Sequence, residues 1–411
     1  MNSRLVGRGL TVLSLLAIGA LTLRPQPELA PLSAATPVWC IVCGSHGLVD
    51  VVLNVLLFVP LGLGLALAGL RARSALIVGA LVSLTVELLQ LSVVSGRDAS
   101  LSDLITNTLG AGSGALLALH WRAVAFPAPR AARGLTAAWA VVVLGVAGVT
   151  GISVAPSMPD PPYWGQWTPE LGGMLQHDGT VESAHVEDIA TPGWRVPAST
   201  ELADSLADGE LSAAVTVALA GPPERTAPIF RVVDGFGNQV LLVAQNGHDL
   251  IVETGTRSER LRLRGLTVRL AGAMPANERV RITAGSDRRG YTVSVQADGA
   301  PPQSLSVTRS ASWGWALLLP WFHRLDERRH LLDGLWLGAL MLPLGWWSRS
   351  LSRPVGGLVG GGATVVAALA AVPALVGIPA AAAGAWAGGG LGLVLGWVVP
   401  AGRRRASRGD R

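Results

Sequence analysis

The feature that most constrains this chain is a series of apolar runs, each near the length that crosses a bilayer. A spanning helix needs about 20 mostly apolar residues. Eight stretches qualify: 5–23, 48–70, 74–94, 103–121, 134–155, 331–347, 354–376 and 380–399. The last two form one apolar block, divided at Gly377-Ile378-Pro379, a turn signal. Only 14% of the residues are charged, where a soluble domain carries about 25%. A wholly soluble fold, a disordered chain and a disulfide-rich scaffold are all disfavoured. The expected class is an α-helical polytopic membrane bundle of about eight spans.

The chain has a formal net charge of +5, and its basic residues are all arginines placed between the runs. Arg4 and Arg8 lie at the start of the first. Arg71 and Arg73 separate the second from the third, and Arg122, Arg130 and Arg133 the fourth from the fifth. Arg349 and Arg353 follow the sixth; Arg403, Arg404, Arg405 and Arg408 close the chain. With both termini cytoplasmic, every cluster falls inside, as the positive-inside rule requires. The basic excess is therefore mostly topogenic, and a nucleic-acid partner drops out. The first run also resembles a signal peptide, with small residues at Ser33-Ala34-Ala35; its length favours an uncleaved span. Residues 313–322 are apolar but too short to cross. They read as an interfacial segment held at headgroup depth by Trp313, Trp315 and Trp321. Trp39, Trp121, Trp346, Trp347 and Trp397 lie near predicted span ends and read as a membrane belt.

The composition changes between residues 156 and 312. Short alternating segments recur at 211–219, 229–233, 239–243, 250–253, 266–270, 279–283 and 291–295, separated by turn residues. That spacing predicts an antiparallel β-sandwich or jelly roll, extracytoplasmic by the topology above. The order of Ile229-Phe-Arg-Val-Val-Asp234, Val240-Leu-Leu-Val-Ala-Gln-Asn-Gly247 and Asp249-Leu250 resembles the laminin-G/concanavalin-like sandwiches over residues 205–300. That resemblance implies glycan binding, sometimes with Ca²⁺. Asp234, Asn238 and Asp249 are the candidate oxygen ligands, although Asx residues in loops are commonly turn formers.

Polar residues inside spans are costly and point to function. Here they gather at one depth. Asp50 and Asn54 lie at the outer end of the second span, Glu87 and Gln90 at that of the third, and Arg97 and Asp98 in the loop after it. Asp103 and Asn107 open the fourth span, on one stripe with Gly110 and Gly114, a small-residue pair that admits a neighbouring backbone. The ordered pattern Asn54, Pro60-Leu-Gly62, Glu87-x2-Gln90, Arg97, Asp103-x3-Asn107, Gly110-x3-Gly114 closely resembles the VanZ-like membrane proteins across residues 40–120. The family's namesake is linked to resistance against teicoplanin-type lipoglycopeptides. The resemblance carries over a set of polar positions and no catalytic chemistry.

Arg suits bidentate recognition of phosphate or carboxylate, so Arg97 points to an anionic lipid headgroup or wall precursor. The bland alternative is that Glu87, Arg97, Asp103 and Asn107 merely lock helices together. The sixth span echoes the second: His46 and Asp50 with Pro60 and Gly62 return as His330 and Asp333 with Pro343 and Gly345. The following run lacks the Glu and Gln, so any site belongs to the first half. Cys40 and Cys43 are spaced for a local disulfide; a metal would need further ligands. Neither a phosphate-cradling Gly-Lys loop nor a Gly-x-Ser-x-Gly elbow occurs.

These features divide the chain into a VanZ-like membrane domain (1–125), a fifth span (134–155), an extracytoplasmic sandwich (156–312) and a remainder (313–411) of interfacial segment, three spans and basic tail. The expected function is a non-enzymatic, multi-pass bacterial envelope protein. It would recognise an anionic lipid or wall-precursor group at the outer leaflet, with a glycan on the sandwich and no cofactor beyond Ca²⁺. Two alternatives stand beside it: an intramembrane enzyme or transporter using Glu87 and Asp103 to handle protons, and a mere anchor for the sandwich.

Overall fold

The computed structural model describes residues 3–25, 39, 42, 46–94, 99–319 and 324–399. Cys40, Cys43, Arg97, Asp98 and Trp321 lie outside them. Five helices come first: α1 (Ser3–Thr22), α2 (Gly47–Leu67), α3 (Ala72–Ser92), α4 (Leu101–Ala125) and α5 (Pro129–Ser153). A β domain follows, interspersed with the short helices α6 (Ser199–Leu206), α7 (Arg257–Arg260) and α8 (Gly314–Leu318). The chain then returns to long helices: α9 (Arg329–Ser348), α10 (Pro354–Val376) and α11 (Ala383–Val398). Long helices thus occupy all eight predicted runs. By length and composition alone, α1, α2, α3, α5 and α10 are able to cross a membrane.

Two helix pairs pack backbone to backbone. A Cβ on Gly110 would sit nearer than 3.0 Å to the Val55 carbonyl, one on Gly114 to that of Val59, and one on Gly62 to that of Ala111. Only glycine lets α2 and α4 meet this closely. The α9–α11 pair repeats the arrangement residue for residue. Gly392 meets the Gly338 carbonyl, Gly396 that of Leu342, and Gly345 that of Leu393. The third helix of each set joins in register, with Gly79 of α3 against Ala111 and Gly361 of α10 against Leu393. The α2–α3–α4 and α9–α10–α11 sets are therefore two copies of one unit. The repeat seen faintly between the second and sixth spans extends to whole helix trios.

The copies differ in one backbone detail. Pro373 has no N–H, so it cannot bond the Leu369 carbonyl one turn back. A π-helical turn, Ala367–Ala371, interrupts α10 just before it. The Leu369 oxygen instead accepts the N–H of Ala381 at 2.9 Å, tying down the loop before α11.

The β domain is two six-stranded sheets. The first runs β1 (Tyr163–Trp167), β5 (Ala227–Asp234), β6 (Gln239–Asn246), β7 (Asp249–Thr254), β8 (Thr267–Leu270), β12 (Arg324–Leu325). The second runs β11 (Gln303–Thr308), β10 (Gly290–Ala297), β9 (Arg279–Ser286), β4 (Leu211–Ala218), β2 (Thr180–Val186), β3 (Ile189–Ala190). All pairings are antiparallel except β8–β12, and β12 carries the domain past residue 312, the expected boundary. Alternate residues of β4 and β9, such as Val215, Val217, Val280 and Ile282, enter a core shared with Val232, Leu241 and Val252 of the other sheet. Strands β5 and β6 are buried on both faces. On the far face Leu171 and Met174 cover Leu242, Ala244 and Ile251.

The domain is fastened to both helix trios. Arg309 is fully buried without a carboxylate in salt-bridge range among the described residues. Its guanidinium donates to the Val154 carbonyl, to Tyr291 Oη at 2.7 Å, to Ser286 Oγ at 2.8 Å and to the Asp287 carbonyl at 2.6 Å. Val154 caps α5, so the positive charge rests against the negative end of that helix dipole. Leu48 N–H at the start of α2 bonds the Arg262 carbonyl of the domain at 3.3 Å.

The 313–322 expectation needs correcting. Trp313 and Trp315 are each 1% exposed, so neither faces headgroups. Trp313 stacks on Tyr291, and Trp315 Nε1 donates to Asp333 of α9 at 2.9 Å. Aromatic mass and a buried carboxylate here form the protein's own joint between sandwich and bundle. Trp346 and Trp347 likewise spend their indole N–H groups on the carbonyls of Ala125 and Val124 at the end of α4.

Valine at position 114 or 396 is expected to destabilise the chain by about 3 kcal/mol or more through backbone overpacking. Gly9→Val, at a site with nothing within 4 Å, should be neutral. Thermal melting of the three purified variants in detergent checks this.

Candidate functional site

The site forms where the end of α3 meets the start of α4. Ser100 is the N-cap of α4: its Oγ accepts the Ser102 N–H at 3.1 Å, the ordinary way of satisfying a free first-turn donor. Its own N–H donates to Glu87 Oε2 at 2.6 Å. Glu87, 7% exposed, thus holds the entrance of the neighbouring helix, and the positive end of α4 offsets part of the cost of burying a carboxyl. Asp103 sits in the first turn of α4, close enough to Glu87 for the two carboxyls to repel.

One turn further in, Asn107 Nδ2 donates to Ser83 Oγ at 3.0 Å. Ser83 is fully buried and Asn107 3% exposed. Asn107 Oδ1 has no hydrogen-bond partner among the described residues. Gln90 turns the other way, its Nε2 donating to the Thr22 carbonyl at the end of α1, 2.9 Å away, and its Oε1 is also unpartnered among the described residues. A buried, unpaired acceptor costs about 1–3 kcal/mol. Each of the two marks a place that a donor from elsewhere would stabilise.

Of the eight expected site residues, Glu87, Asp103 and Asn107 come together, with Gln90 beside them. Asn54 lies half-buried on α2. Asp50 belongs elsewhere: its charge faces Arg264 of the β domain, where burial pushes the guanidinium down and Asp50 holds it up. Arg97 and Asp98 fall outside the described residues. Sequence reading missed Ser83 and Ser100. Ser83 is four residues before Glu87, on the same helix face, and Ser100 immediately precedes a helix with Asp103 in its first turn, a cap signature.

The second trio serves as an internal control. Register by the matched glycines puts Val365 where Ser83 stands, Leu369 for Glu87, Ala382 for Ser100, Ala385 for Asp103 and Gly389 for Asn107. The close packing survives with every one of these polar groups gone. Even the loop tie persists, from Ala381 N–H to the Leu369 carbonyl instead of Ser100 N–H to the Glu87 carboxyl. Holding the three helices together therefore does not require the polar set.

The cation candidates in the sandwich also need correcting. Asp234 Oδ1 accepts the N–H groups of Phe236 and Asn238 at 2.8 Å, and its Oδ2 accepts Asn238 Nδ2 at 2.6 Å, within the β5–β6 turn. Asp249 opens β7, where it pairs with Arg269 at 2.7 Å and with the Gly272 N–H. Strand β6, eight residues long, separates the two turns by about 25 Å at 3.3 Å per residue. The three residues cannot share one ion.

The family model described as VanZ/LLP1 matches residues 11–122, which takes in the second half of α1, all of α2 and α3, α4 as far as Arg122, and the polar cluster. No curated protein and no solved structure matches the chain. The first helical unit is thus VanZ-like, while the laminin-G likeness of the sandwich has no such support.

Replacing Ser83 and Asn107 together by alanine should leave the melting free energy within about 1 kcal/mol, because the lost hydrogen bond is offset by removing an unpaired buried oxygen. A loss of 3 kcal/mol or more in a urea or thermal titration would make the pair structural.

Proposed function

We propose that this is a multi-pass envelope protein whose VanZ-like unit recognises an anionic group of a membrane lipid or lipid-linked wall precursor. In this reading all eight long helices span. Both termini lie in the cytoplasm and the sandwich lies outside, because that arrangement keeps the arginine clusters at 4–8, 71–73, 122–133, 349–353 and 403–408 inside. The observation that carries the reading is the second trio, which keeps the packing and drops the polar residues. Arg97 supplies the anion contact. Glu87, Asp103 and the free oxygens of Gln90 and Asn107 accept hydroxyl or amide N–H groups of the same headgroup. The family's link to teicoplanin-type resistance makes a wall precursor the natural ligand class, and the sandwich remains a glycan-binding module in this scheme.

Native mass spectrometry of the detergent-extracted chain should detect a co-purifying phosphate-bearing lipid. Arg97→Ala and Glu87→Gln should each reduce its occupancy at least tenfold, about 1.4 kcal/mol, with expression and melting unchanged. Wild-type occupancy in both variants would overturn the reading. The proximity of Glu87 and Asp103 also suits acid–base chemistry. Turnover of a lipid pyrophosphate by the wild type, abolished in Glu87→Gln, would replace recognition by catalysis.

A further inference from the structure

A second polar concavity lies at the foot of the sandwich, away from the α3–α4 cluster. It is a cavity of about 400 Å³ at the ends of α5 and α10, walled by residues 155–161 on one side and by Gly377, just past α10, on another. Three arginines from separate parts of the domain converge on it: Arg257 and Arg260 from α7, and Arg288 from the β9–β10 turn. Asp160 and Asp208 line the same cavity. None of the three guanidiniums forms a hydrogen bond or ion pair with another described residue. Elsewhere in the domain, arginines near carboxylates do pair: Arg269 with Asp249 and Arg279 with Glu182, both at 2.7 Å.

Sequence and fold explain why the charges stay open. The Arg257 backbone is fixed, its N–H bonding the Ala155 carbonyl at 3.0 Å directly after α5. That bond anchors α7 at the level where the helix ends. Arg288 arrives on the tight turn between two strands of the other sheet, and Asp287 beside it is spent on the N–H groups of Arg289 and Gly290. An arginine with no partner among the described residues, beside the end of a spanning helix, lies in the layer that holds lipid phosphates. There each basic side chain contributes about 1 kcal/mol of attraction to an anionic leaflet, and a guanidinium grips a phosphate with two parallel N–H bonds.

The geometry assigns this cavity to the phosphate headgroup of an anionic bilayer phospholipid, held by Arg257, Arg260 and Arg288 where the sandwich meets the membrane. The assignment rests on the membrane reading of α5 and α10 and is independent of the α3–α4 cluster. Its consequence is a sandwich seated on its lipid surface through a bound headgroup as well as through the protein joints.

The test uses the full chain in nanodiscs of phosphatidylcholine with or without added phosphatidylglycerol, probed by lipid cross-linking and native mass spectrometry. The wild type should retain phosphatidylglycerol over phosphatidylcholine. The triple variant Arg257→Gln, Arg260→Gln, Arg288→Gln should lose at least tenfold of that preference, and a triple Arg→Lys variant should keep most of it. Lipid cross-linked to the segments that carry Arg257, Arg260 and Arg288 should be unaffected by Glu87→Gln, which acts at the α3–α4 cluster, so failure of this assignment and failure of the proposed function read out separately. Addition of inorganic phosphate should displace little lipid; complete displacement would mean a free-phosphate site and overturn the assignment. An unchanged preference in the Gln triple would overturn it too, as would no preference in the wild type. If the Gln triple fails to fold, Arg288→Gln alone, at an exposed turn, should still lose severalfold, and an unchanged value there would count against the proposal.

Discussion

Everything in the helical part depends on carbonyl oxygens lying where side chains would otherwise be. Val55, Val59 and Ala111 in one trio, and Gly338, Leu342 and Leu393 in the other, press their backbones against glycines of the facing helix. In a bilayer, apolar side chains gain little by leaving lipid, so close van der Waals approach must supply the cohesion. That requirement explains why the glycines recur in register while the larger side chains around them differ. It also means that the close approach of the three helices does not rest on the polar residues of the first trio.

The long helices were legible because hydrophobic length is a one-dimensional property, and each of the eight runs became a helix. The strands from β4 to β10 were legible too, as alternation bounded by turns. Strands β1, β2 and β11 were not called for by the same pattern. β1 is five residues with three aromatic side chains, and β12 is two residues paired in parallel across a long connection. The site was partly readable. Glu87, Asp103 and Asn107 share a depth and meet; Asp50 shares the depth and faces the sandwich instead, because helix rotation and the neighbouring domain decide where a side chain is received. The tryptophans at 313 and 315 misled for a related reason: aromatic residues beside an apolar run read the same whether they meet lipid headgroups or another part of the protein.

The sandwich is inserted between α5 and α9, yet it reaches both trios. Leu48 and Asp50 of the first meet Arg262 and Arg264; Asp333 of the second meets Trp315; Arg309 grips the end of α5. A domain fixed at three separated points does not swivel on a linker. Its orientation is set by the bundle, so its exposed loops are presented at a defined angle and height.

The two loop ties repay a last comparison. In the second trio, Pro373 releases a backbone oxygen and the loop binds it; the bond joins two backbone groups, so protonation cannot undo it. In the first trio the same task falls to a carboxyl on Glu87, which can be protonated, exchanged by one codon, or drawn away by a better donor. One half of the molecule has made its entrance permanent. The other has kept it negotiable.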